Sequence, residues 1–230
     1  MPLLIVIGLL YNAGIWADKM IFWFSPKGEQ IDAFLYAFAD YDGAAFISYL
    51  TIIPSYTYFL VKVETDFYGH FRKFYAILLN KGSLTQINNH KTNITKSVKE
   101  SFIGLIKLQG AVTLVCLLFS GEIAELFKLP LLSTLILDKA LLAVFLQMML
   151  LTVLIFLMYF DIKLQLLIVA LVFFLSNTLF TYITFKLGYV FYGYGYLFSC
   201  LLALITGFIC LNKHLNELEY RTFTGQPLIN

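Results

Sequence analysis

The sequence predicts an all-α, polytopic membrane protein of six transmembrane helices, on three observations. Of its 230 residues 60% are hydrophobic and only 13% are charged, with a mean hydropathy of +0.81. A water-soluble domain carries about a quarter charged residues, and one core of this size cannot hide so much apolar surface, whereas lipid accepts it. Six apolar runs are each long enough, at about 1.5 Å per helical residue, to cross a hydrocarbon layer of about 30 Å. Backbone groups cannot stay unpaired in lipid and these runs are too long for barrel strands, so each is a helix.

The first run, 1–24, is apolar from its start. It has neither a basic n-region nor a small-residue cleavage site, which reads as a retained helix and not a signal peptide. The second, 43–62, carries Pro54, which removes a backbone hydrogen bond and kinks a helix. Between 62 and 101 lies the one sizeable water-facing segment. Phe67, Phe71, Phe74, Tyr75 and Leu78 recur there on one helical face, which predicts an interfacial helix on the cytoplasmic leaflet. The stretch 81–100 (KGSLTQINNHKTNITKSVKE) is polar and reads as a loop or a short helix. The remaining spans are 101–120, 135–160, 164–186 and 189–212. The fourth is unbroken over 141–160, and Asp161-Ile162-Lys163 makes a short turn before the fifth.

Basic residues set the orientation. Lys62, Arg72, Lys73, Lys81, Lys91, Lys96, Lys99, Lys163, Lys213 and Arg221 lie on one side, against Lys27, Lys128, Lys139 and Lys186 on the other. Ten against four, with an even number of spans, places both termini in the cytoplasm. The acidic loop with Glu29, Asp32, Asp40 and Asp42 then faces outward.

Several functions are excluded. A net charge of +2 is too weak for a nucleic-acid partner. Cys116, Cys200 and Cys210 are odd in number and far apart, so neither a disulfide framework nor a zinc site is indicated. His70, His90 and His214 have no metal-ligand spacing, and no serine elbow, nucleotide loop or suitable carboxylate pair occurs. The chain reads as a non-enzyme with no cofactor.

Polar residues inside the spans are the candidates for a substrate path. Asp18 and Lys19 are neighbours near the outer end of the first helix and point about 100° apart, so they need not pair. Asn12, Trp16 and Lys19 share one stripe. The pair lines a wet cavity or gate, or snorkels to the outer headgroups. Ser48, Thr51 and Ser55 share a face of the second helix beside Pro54 and either line a polar cavity or pack helix on helix. Lys107 and Gln109 open the third span; Lys107 either snorkels to the cytoplasmic end or turns inward to hold an anion. Tyr189, Tyr192, Tyr194 and Tyr196 begin the sixth, as an interfacial aromatic belt or as a surface on which sugar rings stack.

Several stretches then resemble the PelG family, inner-membrane exporters of the Pel exopolysaccharide. They are NAGIWADKMIFWFSP (12–26), YLTIIPSYTYFLVKVETDFYGHFRKFYAILL (49–79), KLQG (107–110) and LEYRTF (218–223). An Ile-Trp-x-Asp-Lys helix combined with a Val-Glu-Thr-Asp-Phe-Tyr junction is not a product of membrane composition in general. The resemblance covers most of 11–110 and the C-terminal tail, and fades in the plain apolar helices between. It implies membership of the superfamily of multidrug exporters and lipid-linked sugar flippases, with two six-helix lobes and cytoplasmic termini. This chain would match the second lobe, so the resemblance implies a missing N-terminal lobe or a second copy as partner. It further implies a hexosamine-rich polysaccharide substrate in the bacterial inner membrane, a cytoplasmic glycosyltransferase and inner-membrane scaffold subunits, with 62–101 as a docking surface. Rival expectations are a flippase for lipid-linked oligosaccharide, a multidrug exporter, and a non-transporting scaffold for a glycosyltransferase.

Overall fold

The structure is a computed structural model that describes residues 2–80 and 82–217. Lys81, Arg221 and the 218–223 motif lie outside these residues. Six helical stretches among them are long and apolar enough to cross a membrane, and the protein is an all-α polytopic membrane protein.

Helix α1 (Pro2–Trp23) leads into an antiparallel hairpin, β1 (Glu29–Asp32) and β2 (Leu35–Ala37), where the sequence suggests only an acidic loop. The chain then runs down through α2 (Ala39–Leu50), α3 (Ile53–Lys62), a π-helical turn (Val63–Phe67) and α4 (Tyr68–Leu79). The offset between α2 and α3 falls at Thr51-Ile52, just before Pro54, which has no N–H to give the preceding turn. It returns through α5 (Leu84–Leu118), followed by the short α6 (Ser120–Leu126) and the spans α7 (Leu131–Tyr159), α8 (Lys163–Leu187) and α9 (Tyr194–Asn216).

Helix α7 is the axis of the bundle. Of its most apolar window 67% is buried, against 28% to 44% for the other spans, as expected for a helix that is hydrophobic all round. Helices α2, α5 and α9 pack on α7, while α8 lies between α1 and α9. The turn into α8 sits where the sequence predicts it. Asp161 takes a left-handed φ of 53°, and the Ile162 and Asp161 N–H groups donate back to Leu157 and Met158 carbonyls, so the carbonyls orphaned at the helix end are satisfied.

Two expectations for 62–101 change. The stretch 84–100, expected to be a polar loop or short helix, is the first half of α5, a single helix of 35 residues. Ser83 accepts from the Gln86 N–H while Gln86 accepts from the Ser83 N–H, a capping box that starts the helix. Ile87, Ile94, Val98, Phe102 and Leu105 then line one buried face, interrupted by enough Lys, Asn and Thr to mask the periodicity. Nor is the aromatic stripe of 67–78 an outward interfacial face. Phe67 packs edge-on against Phe156 and Tyr159 at 4.7 and 5.2 Å, and Phe74 is wholly buried. Together α4 and the first half of α5 form a hairpin extending the bundle at this end. Ser83→Ala should fray the start of α5 by about 1 kcal/mol. Amide exchange in the 84–90 segment should accelerate several-fold while exchange beyond Val98 is unchanged.

Candidate functional site

At the hairpin end, α1 and α2 splay, and between them runs a groove of about 550 Å³. Trp16, Trp23, Tyr36, Phe46 and Tyr49 supply its aromatic walls, with Lys19 and Asp42 as its charged groups. The two indoles lie 5.8 Å apart, tilted at 53°. Trp23 Nε1 donates to both oxygens of Asp42, at 3.0 and 2.8 Å, and the Phe38 N–H donates to Oδ2 at 2.9 Å. Asp42 thus ties the hairpin exit and the start of α2 to α1. The three accepted bonds satisfy both of its oxygens in an otherwise apolar wall.

Behind the groove sits a buried polar cluster. The Tyr41 hydroxyl donates to Asp18 Oδ2 at 2.6 Å, and Lys19 Nζ lies 3.5 Å from Asp18 Oδ1. Asp18 is 1% exposed and Lys19 8%. The ammonium also donates to the Ile15 carbonyl at 3.1 Å and faces the Tyr49 and Tyr196 rings at 5.0 and 5.6 Å. Tyr49 and Tyr196 join hydroxyls at 2.8 Å, linking α2 to α9. So the adjacent charges do pair, although the helix turns their Cα–Cβ bonds apart, because the flexible lysine stem folds back over one turn. Lys19 does not snorkel outward; it borders the groove from inside.

The other sequence candidates divide. Asn12 is exposed and donates back to the Gly8 carbonyl, away from the cluster. Trp16, 45% exposed, forms the groove wall. Ser48 is buried beside Asp18 and donates to the Ala45 carbonyl. Lower in the bundle, Gln109 Nε2 reaches Thr51 Oγ1 at 3.5 Å and Thr113 Oγ1 at 3.4 Å, while buried Ser55 keeps an unpaired hydroxyl. Lys107 points out of α5, not inward.

The four tyrosines do not form one stacking surface. A helix entered through Gly193, at φ 91°, turns them to different sides. Tyr192 and Tyr196 are buried in the bundle, Tyr194 stacks on Phe198, and Tyr189 is exposed. Tyr189 instead covers Lys27, whose ammonium lies 3.4 Å from its ring centre and donates to the Tyr192 hydroxyl at 2.6 Å. Burial opposes the Lys27 charge, but the hydrogen bonds to Tyr192 and Tyr189 outweigh it and lift the ammonium above the ordinary lysine range.

Sequence reasoning missed Trp23, Tyr36, Tyr41, Asp42 and Tyr49. A signal existed for α2, where Tyr41, Ala44, Ala45 and Ser48 follow helical spacing and mark the inward face. Nothing local marks Trp23 and Asp42 as partners, since a hairpin folds between them.

Chemically, the arrangement offers flat aromatic faces, with a carboxylate and an ammonium beside them, along an open groove. Among the described residues no activated nucleophile is assembled there. A family model described as "Putative exopolysaccharide Exporter (EPS-E)", PelG, matches residues 1–223. No curated protein and no solved structure gave a match to the chain.

Proposed function

The chain belongs to the PelG exopolysaccharide-exporter family, and we propose that it forms one six-helix lobe of a transporter that passes a Pel-like, hexosamine-rich polymer across the bacterial inner membrane. In this reading it is the C-terminal lobe, and a second lobe closes the path. The observation that carries the reading is the α1–α2 groove. Its size lies within the range of small-ligand sites, about 300–1,000 Å³, and its indole and phenol faces suit the C–H surfaces of sugar rings. It also lies open along the side of the lobe, where Trp16 and Phe46 are exposed. A polymer sliding past needs such a surface: weakly sticky, continuous and without a closed pocket.

The predominance of basic residues on one side supports cytoplasmic termini. On that side a basic groove of about 530 Å³ along α5, with Lys91, Lys96 and Lys99, is the proposed dock for the glycosyltransferase that feeds the path. The scaffold subunits would assemble around the same end.

Trp16→Ala combined with Trp23→Ala removes two stacking faces worth about 0.5–1.5 kcal/mol each. Polymer delivered into vesicles by the reconstituted machinery should fall roughly tenfold, while synthesis at the cytoplasmic face continues. Undiminished delivery would remove the groove from the path. Synthesis without any delivery by the unmodified complex would leave a scaffold and sink the exporter reading.

A further inference from the structure

Helix α5 is longer than a membrane requires. Its 35 residues rise about 52 Å, whereas about 20 residues cross the hydrocarbon layer. Counted back from the apolar end at Leu118, that length reaches Lys99, so the turns from Leu84 to Val98 stand beyond the layer on the basic side. One face of the helix, with Ile94, Val98, Phe102 and Leu105, is buried against protein. The outward face changes character along its length. Beyond the layer it carries Thr92, Thr95, Lys96 and Lys99, the wall of the basic groove. Inside the layer it carries Ile103 and Ile106, 52% and 48% exposed. Lys107 is exposed beside them, about two turns deep, where a bare ammonium facing lipid is costly.

The charges at this level do not cancel. Lys62 is paired with Asp66, and Lys96 lies 3.9 Å from Glu100. Lys91, farther out, donates to the Asn216 carbonyl at 3.2 Å and ties α5 to the end of α9. Lys99 and Lys107 have no carboxylate partner among the described residues, which leaves two positive charges in excess at the edge of the layer.

We propose that this face of α5 binds an anionic phospholipid of the leaflet on the basic side, with the headgroup phosphate between Lys99 and Lys107, Lys96 beside it, and an acyl chain along Ile103 and Ile106. The helix direction favours it. Cα–Cβ bonds tilt toward a helix N-terminus, and the N-terminus of α5 is its basic end, so Lys107 leans out of the layer toward Lys99 while its stem stays on apolar surface. The inference goes beyond the exporter reading and does not rest on it; α5 need only cross a membrane.

Other occupants match half of the face. Inorganic phosphate or an acidic protein segment satisfies the lysines but leaves Ile103 and Ile106 uncovered. A second lobe or copy covers the isoleucines but must bury the Lys107 charge at a cost. A zwitterionic phospholipid brings an ammonium of its own against two uncompensated lysines. An anionic amphiphile answers both parts, as basic clusters at the edge of a span do for acidic lipids. The groove farther out, along Asn88 and Thr92, stays with the protein dock proposed above, and the lipid fixes the height at which the α4–α5 hairpin carries it.

The test uses the whole chain in phosphatidylcholine vesicles with a trace of phosphatidylglycerol bearing a photoactivatable diazirine on its acyl chain. Peptides labelled on irradiation are mapped by mass spectrometry. Label should fall on residues 101–110, and added unlabelled phosphatidylglycerol should displace it while inorganic phosphate does not. Photoactivatable phosphatidylcholine at the same trace should label this segment far less. Each lysine at an anionic lipid is worth about fivefold in affinity, so Lys99→Gln combined with Lys107→Gln should cut the labelling roughly twentyfold. Arg72→Gln combined with Lys73→Gln removes the same charge from exposed positions on α4 and should label like the wild type. Should the α5 double variant not accumulate, each single variant should still lose about fivefold. Labelling indifferent to the headgroup would reduce the face to plain apolar surface and overturn the site. So would an equal loss in the α4 pair, which would mean general surface charge. Absence of label on 101–110 from either lipid would mean that protein covers the face, and overturns it as well.

Discussion

Gly195→Val should prevent the chain from accumulating as a folded membrane protein. A Cβ at residue 195 would lie 2.5 Å from both the Cα and the N of Thr181. Those are backbone atoms of α8, so no rotamer change relieves the clash, and α9 must move away from α8. Overpacking a well-filled interior costs about 1–3 kcal/mol even where side chains give way; here the seam itself must part. The consequences spread, because α8 is held on its other side by the Asn177 amide donating to the Gly14 carbonyl at 2.8 Å, with Thr181 Oγ1 bonded to the same Asn177 at 2.8 Å. Parting α8 from α9 therefore pulls on its link to α1. The measurement is the yield of detergent-extractable, monodisperse chain, which should drop to background for Val and sharply for Ala. Gly8→Ala, where an added Cβ meets nothing within 4 Å, should match or slightly exceed the wild type, since alanine favours the helix by about 1 kcal/mol. Normal yield of Gly195→Val would mean that the two helices do not cross so closely.

Lys19→Met should destabilise the lobe by about 3–5 kcal/mol, the cost of leaving a buried carboxylate without its counter-charge. Tyr41 alone does not replace an ammonium. The companion expectation discriminates: Asp18→Asn added to Lys19→Met should recover most of the loss, because a neutral amide and a thioether carry no buried charge. Stability read from thermal or denaturant midpoints of the three variants in nanodiscs gives the coupling between the two residues directly. A Lys19→Met variant as stable as the wild type would mean that Asp18 does not depend on the Lys19 ammonium where it lies.

The number of spans is legible because the bilayer imposes a one-dimensional requirement. A run such as 141–160 must be helical and must cross, whatever it packs against. The start of α5 shows the limit of that logic. Its capping box is present in the sequence as Ser83 and Gln86, but a polar helix packed on α4 carries too few apolar positions to declare its period. The aromatic stripe of α4 is one face, as its spacing says, but protein and not lipid covers it. A lipid surface and the ends of α5 and α7 demand the same side chains.

The site divides the same way. Asp18, Lys19 and Trp16 stand out in the sequence because charged and amphipathic residues inside a span are costly and therefore few. Their partners do not, since Tyr41, Tyr49 and Tyr196 look like ordinary aromatic residues until three helices bring them together. The four tyrosines from 189 to 196 make the converse case: a single cluster in sequence becomes separate environments once Gly193 turns the chain.

The sequence by itself determined that this protein crosses a membrane in six helices and which few charges their apolar runs carry, because burial in lipid acts on each segment alone. Only the tertiary structure decided that Asp18 and Lys19 pair, that Trp23 holds Asp42 across a hairpin, and that a groove opens between α1 and α2. Those features depend on distances between segments remote in the chain, which hydropathy does not encode.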